Sequence, residues 1–117
     1  YKLTHPKHNI DKTYIAKVVG IPSEKKLQNF RDGLLLDDNF KTSKAKIKIL
    51  EHDKKYSYLE ITIHEGKNRQ VRRMCEAIGH KVVYLKRTAV GDLFIGNLKK
   101  GFYRSLTKKE ISYLKNL

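Results

Sequence analysis

Three arginines, Arg69, Arg72 and Arg73, fall within five positions, directly behind Gly66-Lys67-Asn68. A guanidinium offers a planar fork of N–H donors that fits a carboxylate or a phosphate, so this cluster points to an anionic ligand. The surrounding stretch, Glu65 to Gly79, reads as a loop feeding a short helix, with Asn68 as N-cap and Gly79 as terminator. Val71, Met74, Cys75 and Ile78 repeat at helical spacing and form one apolar stripe. Arg69, Arg73 and Glu76 turn to the other side, while Arg72 stands at the margin of the stripe, where it can reach a half-buried cleft. A plainer assignment competes for Arg72: a surface arginine paired with Glu76 one turn later, worth about 0.3–0.5 kcal/mol. Backbone N–H groups at the helix start, flanked by Lys67 and Asn68, could receive a phosphate of an RNA strand. Tyr14 is the aromatic candidate, either presenting its ring to an unstacked base or serving as an ordinary cross-strand aromatic.

Other chemistries find little support. The five histidines are scattered and Cys75 stands alone, so no metal-ligand spacing emerges and no metal is expected. No nucleophile elbow or Cys–His arrangement occurs, and Cys75, on the apolar stripe, reads as a core filler. The six aspartates lie in turn-like or helix-end contexts, and none is a convincing catalytic carboxylate.

The elements that would carry these residues can be read from periodicity. Lys12–Val19 is a strand with Tyr14, Ala16 and Val18 on one face and Ile15, Lys17 and Val19 on the other. Pro22-Ser23 opens a short helix over 24–30 with Ser23 as N-cap and Gly33 beyond its end. Residues 44–50 and 56–64 alternate cleanly and form a hairpin around 52–55. A further strand covers 81–87, Gly91, Gly96 and Gly101 punctuate a loop-rich stretch, and Thr107 to Glu110 has capping-box spacing for a last helix bearing Ile111 and Leu114. Strands and helices mix without regular βαβ alternation. The expected class is α+β, with a mixed, largely antiparallel sheet flanked by short helices.

A chain of 117 residues forms one domain or part of one. Lys and Arg number 26 against 12 acidic residues, a net charge of +14, which favours a polyanionic partner, most often nucleic acid. The bland counterpart is lysine enrichment spread over the whole chain. No apolar run of about 18 residues exists, so no membrane-spanning helix is expected. One cysteine cannot form an internal disulfide, which fits a reducing, cytoplasmic setting.

With these residues in view, the sequence resembles the RsuA family of pseudouridine synthases, bacterial enzymes that isomerise uridines in ribosomal RNA. The matching pieces are Leu3-Thr4-His5-Pro6, Lys12-Thr13-Tyr14, the specific block from Glu65 to Met74, Leu85-Lys86-Arg87 and Tyr103 to Thr107. The resemblance runs the length of the chain and implies part of the pseudouridine synthase catalytic fold. It implies that Tyr14, in a Lys-x-Tyr element with Lys12, stacks on the target base. It also implies that Arg72 pairs with the catalytic aspartate, that Val71 packs beside the flipped base, and that Arg69 and Arg73 lie near backbone phosphates. Neither metal nor organic cofactor is implied, and ribosomal RNA, of the large subunit in particular, is the implied partner.

One element of the family is missing. The Gly-Arg-Leu-Asp motif that bears the nucleophile does not occur in these 117 residues, and Asp32, in Arg31-Asp32-Gly33, lacks its order and place. The resemblance therefore implies the C-terminal part of a catalytic domain, without the catalytic-aspartate segment and without an S4-like RNA-binding domain, and inactive by itself. A non-catalytic RNA-binding module is the alternative. A DNA-reading helix is disfavoured because no helix-turn-helix partner precedes the arginine helix.

Overall fold

The computed structural model describes residues 11–90, 93–94, 109 and 111–115. Five strands, β1 (Lys12–Val19), β2 (Lys46–His52), β3 (Tyr56–Ile63), β4 (Val82–Val90) and β5 (Leu93–Phe94), form one sheet in the order β2-β3-β1-β4-β5. Every pairing among them is antiparallel. Helices α1 (Glu24–Asp32) and α2 (Gln70–Ala77) supply the helical part, so the α+β expectation holds. The matches to Leu3–Pro6 and Tyr103–Thr107, the three glycines 91, 96 and 101, and the capping box at Thr107 lie outside the described residues.

Period-2 alternation builds the strands and sends Ala16 and Val18 of β1, Ile47 of β2, and Leu59, Ile61 and Ile63 of β3 to one face. There they bury against Leu27 and Phe30 of α1 and the Val71, Met74, Cys75 and Ile78 stripe of α2. Both helices thus cover the same face. A smaller cluster of Tyr58, Ile111 and Leu114 forms on the opposite face, with Leu50, Tyr56 and Tyr84 packed around it. The alternation marks Tyr58 as an outward residue, yet it is fully buried because helical residues 111–115 lie over it. Lys17 shares that face. Its ammonium donates to the Leu114 carbonyl at 2.9 Å and sits 4.4 Å from the Tyr56 ring centre, exchanging water for a carbonyl and π-faces.

Element ends differ from the periodic reading by a few residues. Helix α1 continues through Arg31 and Asp32, because Arg31 donates to Glu24 within the helix and to the Ile47 carbonyl on β2. Strand β4 runs past Arg87 to Val90, accommodated by two register shifts against β1. The largest correction concerns α2. Its N-cap is Arg69, in a left-handed conformation at φ 52°, rather than Asn68, and no side chain caps it. Its C-terminus closes as expected: Gly79, at φ +89°, donates to the Glu76 carbonyl while His80 donates to Cys75, a Schellman arrangement that a Cβ would strain.

Candidate active site

The N-terminal end of β1 and the N-terminus of α2 meet across the helix-covered face of the sheet and enclose a cleft of about 340 Å³. Lys12 and Tyr14 enter from β1, Ile63 from the end of β3, and Leu85 and Arg87 from β4. The loop Glu65-Gly66-Lys67, the N-cap Arg69 and the first residues of α2, Gln70 to Arg72, form the opposite wall. Lys12, Tyr14, Lys67, Arg69, Val71 and Arg72, far apart in sequence, therefore line one cavity. Asn68 and Arg73 do not.

A single carboxylate organises the wall. Glu65 accepts hydrogen bonds from the Ser43 amide (3.1 Å), the Ser43 hydroxyl (3.0 Å) and the Gln70 side-chain amide (2.8 Å). Gln70, buried at the first position of α2, also accepts from the Lys67 amide at 3.2 Å, so its side chain fixes the loop that leads into the helix. The Glu65 carbonyl takes the Lys12 ammonium at 3.2 Å, and that ammonium lies 3.0 Å from where a Gly66 Cβ would stand. Lys12 is thereby a strut between β1 and the loop. Neither the brace formed by Glu65 and Gln70 nor the presence of Arg87 follows from the sequence reading; the polar pair bracketing Gly66-Lys67-Asn68 is the only local signal. Replacing Glu65 by Ala removes the shared acceptor of three donors and is expected to destabilise the domain by about 1–3 kcal/mol in urea unfolding. Glu65→Gln should recover little, since its NH₂ group would face donors. Unchanged stability in Glu65→Ala would show that the brace carries no load.

Arg72 is half-buried at the cleft. It forms no hydrogen bond or ion pair among the described residues, so the pairing with Glu76 does not occur. Val71 beside it is buried and touches both the cleft and the core. Tyr14 packs against the main cluster while lining the cleft, with Arg87 opposite it on β4 and Ile61 on β3. Lys67 places its ammonium 4.7 Å from the Phe40 ring centre.

Arg73 points elsewhere. It donates to Asp37 at 2.9 Å and to the Asn68 carbonyl at 3.2 Å, and it pairs with Asp38 at 2.8 Å, so the 34–43 loop is strapped across the outside of α2. The expectation that Arg73 serves the phosphates meets a guanidinium already engaged by two carboxylates 35 and 36 residues upstream. Its hydrogen bond holds the Asp38 carboxyl below the ordinary carboxylate value of 3.8. A depressed acid stabilises the fold above its unfolded pKa and loses that effect as pH falls through the folded value. The stability gap between wild type and Asp38→Asn should therefore be full above pH 3.8 and close below it; a gap that persists at pH 2 would contradict the assignment.

Cys75 is buried on the core side of α2, and burial pushes its thiol up to about 12, so it stays protonated at neutral pH and is no nucleophile. Asp32 lies exposed at the end of α1, accepting from Gln28, outside the cleft. No group of metal-ligating side chains occurs among the described residues. No helix among them is long and apolar enough to cross a membrane.

The family model described as RNA pseudouridylate synthase matches residues 1–77. The ribosomal large subunit pseudouridine synthase B of Bacillus subtilis (strain 168) is 50% identical over 118 residues, covering 99% of this chain and 48% of the relative. The ribosomal small subunit pseudouridine synthase A of Haemophilus influenzae is 37% identical, covering 97% of this chain and 48% of the relative. A crystal structure of a pseudouridylate synthase superimposes with a TM-score of 0.67 at 35% identity, over 75% of this chain and 37% of that one. The chain spans about half the length of the curated relatives it matches.

Proposed function

The chain belongs to the RNA pseudouridylate synthase family, in its RsuA-like branch, and from that premise we propose that it is the C-terminal part of a catalytic domain that converts uridine to pseudouridine in ribosomal RNA, that of the large subunit in particular. The observation that carries this reading is Arg72. Its guanidinium stands half-buried in a cleft beside a tyrosine, and no acid among the described residues engages it. Glu65, the one carboxylate on the cleft wall, is held by Ser43 and Gln70 and is not free to react. The site thus has a cation and an aromatic surface awaiting a carboxylate, and the Gly-Arg-Leu-Asp segment of the longer protein would bring it.

The chemistry follows from those parts. A uridine must leave its stack to be reached, which costs a few kcal/mol, and the Tyr14 ring returns part of it by stacking. The incoming aspartate must stay ionised in a partly desolvated cleft; Arg72 beside it lowers its pKa by about 1–3 units. In the reaction the glycosidic bond from ribose carbon 1′ to uracil N1 breaks and a bond from carbon 1′ to carbon 5 forms. The carbon-5 proton leaves to solvent and N1 gains one. Arg69 and Lys67 at the loop mouth, and Arg87 across from Tyr14, face the flanking phosphates.

Release of tritium from ribosomal RNA labelled at uracil carbon 5 tests this directly. The full-length protein is expected to release it and the 117-residue chain to release none. RNA binding by the full-length protein without release would favour a non-catalytic RNA-binding module; release by the 117-residue chain would overturn the missing-nucleophile reading.

A further inference from the structure

On the opposite face of the sheet, towards the C-terminal end of β1, lies a second concavity of about 650 Å³, larger than the first. Its walls are the β2–β3 turn at Asp53 to Lys55, the rings of Tyr56 and Tyr84, and Val83. Three features there are open to solvent in whole or in part. Lys54 and Lys55 are exposed and engage no anionic group among the described residues. Val83 is the extra residue of the register shift between Lys17 and Val18, and the bulge turns it outward at 46% exposure. The half-buried Tyr56 ring is fixed from one side by the Lys17 ammonium, which is itself anchored on Leu114.

The one acidic residue lining this cleft keeps its charge but is outnumbered there by lysines. Asp53 accepts the Lys55 and Tyr56 amides at 2.9 and 2.8 Å and the Tyr58 hydroxyl at 3.4 Å, so its carboxylate is spent on shaping the turn. What remains is an aromatic and aliphatic surface beside two ammonium groups that have no ion-pair partner among the described residues. That combination matches one unstacked nucleotide, its base against the rings and its phosphates on the lysines.

We propose that this cleft is a second contact site for the single-stranded part of the RNA substrate, on the face of the sheet away from the reacting uridine. The proposal rests on the reading of the chain as an RNA-modifying enzyme. It extends the bound RNA from one face of the sheet to the other. The charge it adds lies outside the catalytic cleft, so it governs affinity rather than the chemical step.

The test uses the full-length protein, wild type and Lys54→Gln/Lys55→Gln, with labelled oligouridylate of about twelve nucleotides and with a large-subunit ribosomal RNA transcript. Removing two phosphate contacts should make the salt dependence of log K shallower by about 1.4, at about 0.7 per single-strand contact. Tritium release at saturating RNA should stay unchanged, and ultraviolet cross-linking should join RNA to Tyr56 or Tyr84 in the wild type. An unchanged salt slope with cross-links confined to the Tyr14 cleft would overturn the proposal while leaving the enzyme reading intact. Loss of polyglutamate binding in the variant with RNA binding unaltered would also overturn it, in favour of an acidic protein partner. Wild-type protein that binds neither RNA would sink the functional reading itself, and this one with it.

Discussion

In the full-length enzyme, Arg72→Ala is expected to lower the rate of uridine isomerisation by about 10²- to 10³-fold, the effect of removing one preorganised charge-stabilising donor from a water-poor site. The fold should survive, because Arg72 makes no hydrogen bond or ion pair within the described structure and the neighbouring stripe of Val71, Met74 and Cys75 keeps α2 seated. The physical reason for the loss is local. Without the guanidinium, desolvation raises the pKa of the incoming aspartate, and part of it is protonated near neutral pH. The acidic limb of the pH–rate profile should accordingly move to higher pH in the variant. Arg72→Lys keeps the charge but not the planar fork, so partial rescue with a smaller shift is expected. Near-normal turnover by Arg72→Ala would show that the half-buried guanidinium has another use.

Tyr14→Ala is expected to lower kcat/KM by about 5- to 150-fold, corresponding to the 1–3 kcal/mol that base–aromatic stacking contributes. Tyr14 stands on β1, where the pairing of Ile61 on β3 and Arg87 on β4 fixes its direction. Its ring packs against the main cluster on one side and lines the cleft on another, so the cross-strand and base-platform assignments describe two sides of the same residue. Tyr14→Phe keeps the platform and should keep most of the activity. If Phe fails as badly as Ala, the hydroxyl takes part in the reaction and stacking is not the main contribution.

Much of the scaffold is legible in the sequence because local periodicity dictates it. Strand β1 has the bounds that its β-branched and aromatic run and Gly20 suggest, and the stripe on α2 is buried as its spacing requires. What is not legible depends on partners distant in sequence. Asn68 looks like the better cap, yet the chain reaches α2 through a left-handed Arg69, because Glu65 and Gln70 fix the preceding loop from both ends. Arg73 resembles its neighbours in every local respect; only the 34–43 loop folding back brings Asp37 and Asp38 to it. Tyr58 alternates as an outward residue and becomes core because 111–115, more than fifty positions on, covers that face. The cleft itself is assembled from residues 12 to 87, and its composition emerges only with the strand order β2-β3-β1-β4-β5.

On the proposed reading, Arg72 awaits a carboxylate carried by another segment of the same protein. A crystal structure of the full-length protein bound to uridine-containing RNA measures this as one distance, from the Arg72 guanidinium to the aspartate of the Gly-Arg-Leu-Asp segment. The expected result is an ion pair within about 4 Å, with the everted base against Tyr14. A separation beyond about 10 Å, where the two charges scarcely influence each other, would contradict it.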